Sequence, residues 1–289
     1  MSAALSFENI SVTYGEGTPF CRHALKNINC EFGKGEIIGI IGHTGSGKST
    51  LAMLTNGLLK PTEGTIRLYG EDIWAEPKKM YRLRGRVGLV FQYPEYQLFE
   101  ATVHDDIAFG PKNMGFEDEA LEARISSAAS FCGIGDDIMQ RSPFELSGGQ
   151  KRRVAIAGIM AMRPEVLVLD EPAAGLDPEG REQIFGGLCE YRDKTGATLV
   201  LISHSMEDIA RYCDRILVLK DGEVYMYGTV GEIFAEADRL FDASLDLPQV
   251  TKLFIELRKR HVVQNIDVYT LKYAKNELMP LLLDKGEEL

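Results

Sequence analysis

The sequence predicts an α/β fold built on a parallel sheet, and three largely apolar runs predict it. They cover residues 37–41, 166–169 and 198–203, and a further run at 87–90 has the same character. Strands of a parallel sheet are covered on both faces, so they are apolar along their length rather than at alternate positions. These runs therefore predict adjacent strands in one buried sheet.

The N-terminal region predicts a separate antiparallel sheet at the edge of this core. Residues 5–14 alternate apolar and polar side chains, as a half-exposed strand does. Residues 24–28 and 64–68 predict further short strands, the latter after a turn containing proline and glycine. Tyr14 follows the first strand, where its ring either packs against its neighbours or stacks on a base.

A glycine-rich loop with the pattern GxxxxGK[ST] follows the run at 37–41 and precedes a helix predicted to begin near Lys48. In this pattern, backbone N–H groups and the helix N-terminus attract phosphate, the lysine reaches the β- and γ-phosphates, and the serine hydroxyl binds Mg²⁺. A chance glycine-rich turn is the alternative, but the strand before and the helix after favour a nucleotide site. The predicted binding residues are Gly42, His43, Thr44, Gly45, Ser46, Gly47, Lys48, Ser49 and Thr50.

Two acidic residues, Asp170 and Glu171, come directly after the run at 166–169. Open α/β sheets bind ligands at the carboxyl ends of their strands, so both acids are expected beside the phosphate loop. Asp170 would hold Mg²⁺, and Glu171 would position or deprotonate the attacking water. Acidic residues after a strand are also common as caps. The pair therefore indicates a nucleotide site only in combination with the phosphate loop.

Two more polar residues end predicted strands. His204 follows the run at 198–203 and could reach the γ-phosphate, while the other histidines are interpreted as structural. Gln92 lies just after residues 87–90 and could bind the metal or the attacking water, although a surface-loop glutamine is the plainer interpretation.

The segment Ser147, Gly148, Gly149 and Gln150 forms a second candidate contact with phosphate. Serine followed three residues later by glutamine is a capping box at the start of a helix. Two glycines there also leave backbone N–H groups open to an anion. One chain would thus carry one and a half sites, which two chains arranged head to tail would complete for each other.

Composition and charge argue against several classes of protein. A net charge of −11 argues against a broad nucleic-acid surface, and 289 residues suffice for one large domain with a small appendage. Five scattered cysteines without a CxxC pair or a secretory signal favour a reducing compartment. No apolar run reaches the roughly 18–20 residues that cross a bilayer, so membrane association is expected to be peripheral or through a partner.

In their order along the chain, these motifs resemble the ATP-binding subunits of ABC transporters between about residues 5 and 230. The resemblance implies ATP and Mg²⁺ as cofactors and a P-loop NTPase (RecA-like) α/β core. It adds an N-terminal antiparallel β subdomain, a helical signature-motif subdomain at about 95–160 and a small, mostly helical C-terminal extension. It further implies that Tyr14 stacks on adenine, that residues 147–150 contact the γ-phosphate on the opposite subunit, and that residues 174–177 cross the dimer interface.

A narrower resemblance rests on residues 92–99 and 102–111, which are similar to the energy-coupling-factor transporters. Residues 42–45 and 18–20 are most similar to the second of their two ATP-binding subunits. This implies a translocase at the cytoplasmic face of the cell membrane that powers vitamin or micronutrient uptake. Its partners would be a second ATP-binding subunit, a paralogue being favoured over a second copy, with a transmembrane coupling (T) subunit and a membrane substrate-binding (S) subunit. Residues 94–100 are the candidate groove for coupling helices.

The division into domains is expected at residues 235/236, with an ATPase domain at 1–235 and a helical extension at 236–289. Val250, Leu253, Phe254 and Leu257 follow helical spacing after Pro248. That apolar stripe either packs on the chain's own core or dimerises. Two functional alternatives also stay open: the ATPase of a metal-ion importer or exporter, and a non-transport ABC ATPase acting on DNA or ribosomes.

Overall fold

The computed structural model describes the backbone of residues 3–284 and the side chains of residues 3–281. Its strands are β1 (Ala3–Tyr14), β2 (Arg22–Gly33), β3 (Ile37–Ile41), β4 (Glu63–Leu68), β5 (Glu71–Asp72), β6 (Val87–Val90), β7 (Val166–Asp170), β8 (Thr198–Ile202), β9 (Arg215–Lys220) and β10 (Glu223–Thr229). Its helices are α1 (Lys48–Thr55), α2 (Met80–Arg86), α3 (Val103–Asn113), α4 (Asp118–Phe131), α5 (Asp136–Met139), α6 (Gly148–Ala161), α7 (Pro178–Thr195), α8 (Met206–Tyr212), α9 (Val230–Ala235), α10 (Ala237–Asp242), α11 (Gln249–Lys259) and α12 (Leu271–Asp284).

The strands form two sheets, as predicted. The larger has the order β10-β9-β3-β8-β7-β6, and its neighbours from β9 to β6 run parallel. The smaller is antiparallel with the order β2-β1-β4-β5. Every residue of β3, β6, β7 and β8 is buried, which explains why these strands are apolar without alternation.

The larger sheet separates two hydrophobic clusters, and its strands contribute to both in alternation. Ile37 and Ile41 pack in the cluster with the helices, whereas Ile38 and Ile40 pack in the cluster beneath the smaller sheet. The period of two along a strand produces this division, because successive side chains point to opposite faces. The carboxyl ends of the parallel strands therefore meet at one edge, where the loops carry the polar residues.

The helices between β6 and β7 pack mainly on α6, which contacts both α3 and α4.

Further along, Leu240 and Leu247 lie in the large cluster with the ATPase-domain helices, beyond the predicted boundary at 235/236. A separate small cluster begins only at Val250. The division at 235/236 stays a prediction. The two ends of the predicted domains, residues 1–2 and 285–289, lie outside the described residues.

Helices α11 and α12 both contribute to this small cluster, which includes Val250, Phe254 and Ala274. Val250 and Phe254 are buried and Leu257 packs against them, but Leu253 is 48% exposed, so the predicted stripe is narrower than its spacing suggested. Helix α11 begins directly after Pro248, as expected.

Within residues 3–284, no helix is both long enough and apolar enough to cross a membrane.

Candidate functional site

The phosphate loop joins β3 to α1, and its glycines are required by the backbone. Gly45 and Gly47 have φ angles of 84° and 107°, in the left-handed region that other residues rarely adopt. A Cβ atom on Gly42 would lie 2.4 Å from the carbonyl oxygen of Leu219. One on Gly47 would lie 2.5 Å from the Cδ2 atom of Leu25. A side chain at any of these three positions would therefore be strained or would clash, which explains why glycine occupies them.

Lys48, the first residue of α1, is buried against this loop. Its Nζ atom donates hydrogen bonds to the carbonyl oxygens of Gly42 at 2.7 Å and His43 at 3.1 Å. Burial lowers the pKa of Lys48, while the nearby carboxylates of Asp170 and Glu171 oppose that shift. The ammonium group thus lies between the loop and the two acidic residues.

Asp170 ends β7 next to α1. The hydroxyl of Ser49 donates a hydrogen bond of 3.0 Å to its Oδ2 atom. Burial raises the pKa of Asp170, whereas the Ser49 hydrogen bond and the charge of Lys48 lower it. The predicted pair of metal-binding oxygens is therefore brought together from segments 121 residues apart in sequence.

Glu171 is fixed by the backbone of the neighbouring strand end. Its φ angle of 54° is unusual for a residue with a side chain, and its N–H donates to the carbonyl of Ile202 at 3.0 Å. Its Oε1 atom accepts a 2.7 Å hydrogen bond from the backbone N–H of His204. Burial is the main cause that raises the pKa of Glu171, and the Asp170 charge adds to it. The carboxylate is thus oriented by main-chain groups.

His204 and Gln92 lie at the same edge of the sheet. The Nε2 atom of His204 is 3.9 Å from the Oε1 atom of Glu171, and its pKa is lowered by partial burial and then by the charge of Lys48. Gln92 is exposed and lies two residues beyond the end of β6, which pairs with β7. His204 and Gln92 therefore both lie beyond the strand ends where the sequence predicted them.

A cavity of about 210 Å³ lies beside the phosphate loop. The Tyr14 hydroxyl is 3.4 Å from the Thr50 hydroxyl at its wall. Arg22, which pairs with Tyr14 across β1 and β2, extends its Nη2 atom to 3.5 Å from the carbonyl of Gly45. The lining residues are Tyr14, Arg22, Ala24, Gly45, Gly47, Lys48, Ser49 and Thr50.

Four predicted loop residues, Gly42, His43, Thr44 and Ser46, lie outside the lining of this cavity. The His43 ring contacts the carbonyl of Thr44 at 2.9 Å and approaches Asp221 in the turn after β9. Thr44 is exposed, and Ser46 is fully buried. The backbone of this part of the loop still carries the N–H groups on which the phosphate prediction rests.

Residues 147–150 form the predicted capping box. The Ser147 hydroxyl accepts from the Gln150 N–H at 3.3 Å, and the Gln150 side chain accepts from the Ser147 N–H at 3.0 Å. Ser147, Gly149 and Gln150 also line a second cavity, of about 490 Å³, together with Gly175, Leu176 and Asp177. The two cavities share no lining residue, so the two phosphate motifs belong to different surfaces of the chain.

A third cavity, of about 860 Å³, forms a groove between α2, α3, α6 and residues 97–99. Phe99 and Phe109 meet edge to face in its wall, with ring centroids 4.8 Å apart, and both are half exposed. Asp106 is only 9% exposed there. Its Oδ1 atom accepts from the Phe99 N–H at 3.2 Å, while Oδ2 has no hydrogen-bond partner within residues 3–281. Burial raises the pKa of Asp106.

Comparison with known proteins decides the family. Residues 25–174 match the sequence family described as ABC transporter. The chain belongs to the ABC transporter family. The expected P-loop NTPase fold is confirmed, and this ABC chain is the ATP-hydrolysing subunit of a transporter.

Among curated relatives, this ABC chain is 51% identical over 278 residues to the energy-coupling factor transporter ATP-binding protein EcfA2 of Caldanaerobacter subterraneus subsp. tengcongensis. The match covers 96% of this chain and 97% of the relative. A protein of the same name from Clostridium acetobutylicum is 48% identical, with 96% and 98% covered. The resemblance to the second type of energy-coupling-factor ATPase is thereby confirmed.

Solved structures of similar fold agree with this family assignment. The structure of cbiO1 from Clostridium perfringens, described as part of the ABC transporter complex cbiONQ, aligns with a TM-score of 0.75 and 38% identity. It covers 88% of this chain and 100% of that one. An ATP-binding cassette solved as a dimer in a post-hydrolysis state with ADP and Pi aligns with a TM-score of 0.71 at 29% identity, covering 78% and 98%.

Proposed function

We propose that this ABC chain pairs with a second ATP-binding subunit and hydrolyses ATP at sites shared between the two, powering uptake of vitamins or other micronutrients. The observation that carries the proposal is the separation of the two phosphate motifs. The phosphate loop lines a cavity at one surface through Gly45, Gly47 and Lys48, and Ser147, Gly149 and Gln150 line a cavity at another. Each surface is half a site, and a head-to-tail pair completes both.

In the proposed site, Glu171 accepts the proton of the attacking water. Its carboxylate is already oriented by the His204 N–H, and its raised pKa makes it a stronger base than an exposed glutamate. Lys48 stabilises charge on the β- and γ-phosphates, and the His204 side chain approaches the γ-phosphate from the strand end beside it. Tyr14 stacks on adenine above the cavity that it lines.

The oxygen groups near Lys48 fit a magnesium ion that arrives with the nucleotide. Mg²⁺ is commonly held by one or two carboxylates, hydroxyl groups and the phosphates themselves. Ser49 and Asp170 supply a hydroxyl and a carboxylate within 3.0 Å of each other, with Gln92 at the same sheet edge. Within the described residues, no cluster of three acidic, histidine or cysteine side chains offers a self-sufficient metal site. When bound, Mg²⁺ neutralises phosphate charge.

In the partner's site, the proposed contacts are Ser147, Gly148, Gly149 and Gln150. The capping box holds the start of α6 in place, leaving the N–H groups of the two glycines to face the phosphate of the opposite subunit. A paralogous ATP-binding subunit is the proposed mate. The dimeric cassette bound to ADP and Pi, which shares the fold, supports the pairing of two cassettes.

The groove is the proposed docking site for a helix of the transmembrane coupling (T) subunit, which in turn holds the membrane substrate-binding (S) subunit. Its apolar walls and half-exposed aromatic rings fit an amphipathic helix. The unpartnered Oδ2 atom of Asp106 would accept a hydrogen bond from a basic side chain on that helix. The chain would thus work peripherally at the cytoplasmic face of the cell membrane.

Extraction of the complex in mild detergent tests this function. We expect intact-complex mass spectrometry to find one further ATP-binding subunit and two kinds of membrane protein. Phe109→Glu should lower recovery of the membrane proteins at least about tenfold, because it places a charge in the apolar groove. Leu58→Glu is the matched control, since Leu58 and Phe109 are both 45% exposed and Leu58 lies outside the groove.

Recovery of no membrane protein with the wild-type chain would overturn the importer proposal. Equal recovery with both variants would remove the groove from the docking role. The identity of the copurified proteins also separates micronutrient uptake from metal import or export.

A further inference from the structure

Arg152 is a buried cation that the proposed chemistry does not use. It lies on α6, two residues after the signature segment 147–150, and is only 3% exposed. Its Nε and Nη2 atoms donate to the two carboxylate oxygens of Glu95, each at 3.2 Å. Its Nη1 atom donates to the carbonyl oxygen of Ala174. All of its strong contacts therefore go to two segments outside its own helix.

Those two segments lead to different functional surfaces. Glu95 lies in the short 3-10 turn Pro94–Gln97, whose last residue begins the part of the groove wall formed by residues 97–99. Ala174 directly precedes residues 175–177, which line the second cavity with Ser147 and Gln150. A single guanidinium group thus joins the proposed docking groove to the surface proposed to face the partner's nucleotide.

The geometry of the contact makes this connection stiff. A guanidinium that bonds both oxygens of a carboxylate fixes their relative orientation as well as their distance. The Tyr93 ring also lies 6.0 Å from the Cζ atom of Arg152, and Tyr93 itself has a left-handed φ of 59° that sets the direction of the turn. Because Arg152 is buried and Glu95 is mostly shielded from solvent, loss of either partner leaves a charge without compensation. A displacement of the turn would therefore move the Ala174 segment as well.

We propose that Arg152 is a positioning residue that couples helix docking in the groove to the placement of residues 174–177. A docked helix would set the position of Glu95, and Arg152 would transmit that position to the surface where the partner's nucleotide is completed. This inference rests on the proposed docking function of the groove. Its consequence is that membrane partners accelerate ATP hydrolysis through the Glu95–Arg152 pair.

The test compares ATP hydrolysis by the purified complex with hydrolysis by the paired ATP-binding subunits alone. Arg152→Lys keeps the charge but cannot bond both oxygens of Glu95 and the Ala174 carbonyl together. We expect it to retain the dissociation constant for ATP and recovery of the complex, while acceleration by the membrane partners falls about fivefold or more. Glu95→Gln should lower the acceleration similarly, and the double variant should be no worse than either single one.

Arg124→Lys is the matched control. Arg124 also donates to backbone carbonyls, those of Ala161 and Met162 at the other end of α6, but it contacts neither Glu95 nor Ala174. Its acceleration should equal that of the wild type. A melting curve for each variant verifies folding, and Glu95→Gln carries the test if Arg152→Lys does not fold.

The failure of this inference is distinct from failure of the docking proposal. If Phe109→Glu blocks assembly but Arg152→Lys and Glu95→Gln keep full acceleration, the groove docks a partner and the coupling role is overturned. Additive losses in the double variant would also overturn it, because a single linkage can be broken only once.

Discussion

The nucleotide edge of the sheet and the docking groove are built in opposite ways. At the nucleotide edge, the reactive groups follow strand ends directly and are held by main-chain atoms, as the His204 N–H holds Glu171. The groove is assembled from α2, α3, α6 and residues 97–99, and side chains form its walls. Main-chain atoms keep their positions when side chains are substituted, so the first arrangement constrains the chemistry, whereas substitutions in the wall can adapt the second arrangement to a partner.

The largest expected effect is on the nucleotide edge alone and leaves the docking groove unaffected. Glu171→Gln should lower kcat for ATP hydrolysis by on the order of 10²-fold or more, because an amide cannot accept the proton of the attacking water. ATP binding and recovery of membrane partners should stay at wild-type levels. Steady-state hydrolysis and equilibrium nucleotide binding measure these quantities. Glu165→Gln, which precedes the opposite end of β7, is the control. Unchanged kcat would exclude Glu171 as the base.

A smaller effect is expected from Arg22, whose position beside Tyr14 became visible only in the folded chain. Arg22→Ala should raise the dissociation constant for ATP and ADP about fivefold, since a cation within reach of the phosphate chain is removed. Because Arg22 is exposed, salt should reduce the difference. Titration calorimetry at low and high salt measures it. Lys26→Ala on the same strand is the control, and equal binding by both variants at low salt would refute the contact.

The smallest effect concerns the stability of the nucleotide edge itself. Burial raises the pKa of Glu171 above its ordinary value of 4.5, so the folded chain binds this proton more tightly than the unfolded chain. The associated stability is complete below the unfolded pKa and is lost as pH rises through the folded one. Glu171→Gln removes that loss and should raise Tm by about 2 °C at pH 8 without nucleotide.

The gain should shrink towards pH 5, where wild-type Glu171 is protonated to a greater extent. Differential scanning calorimetry at both pH values measures it. A gain that does not depend on pH would show that packing, rather than ionisation, causes the difference.

The C-terminal helices show where sequence spacing misleads. Leu253 shares the helical spacing of Val250 and Phe254 but faces solvent, while Thr251 is buried and donates to the carbonyl of Val268. A repeat of three and four residues defines a face of a helix, but only the segment lying against that helix decides how wide the buried part is.

The sequence by itself determined the parallel strands, the phosphate loop and the placement of Asp170, Glu171, Gln92 and His204 at one edge. These features follow from local pattern, because the period of a strand and the conformational freedom of glycine act over a few residues. Only the tertiary structure decided the contacts of Arg22 with the loop and of Arg152 with Glu95 and Ala174. Those contacts depend on hairpin register and on helix packing between distant segments, and no local pattern encodes either.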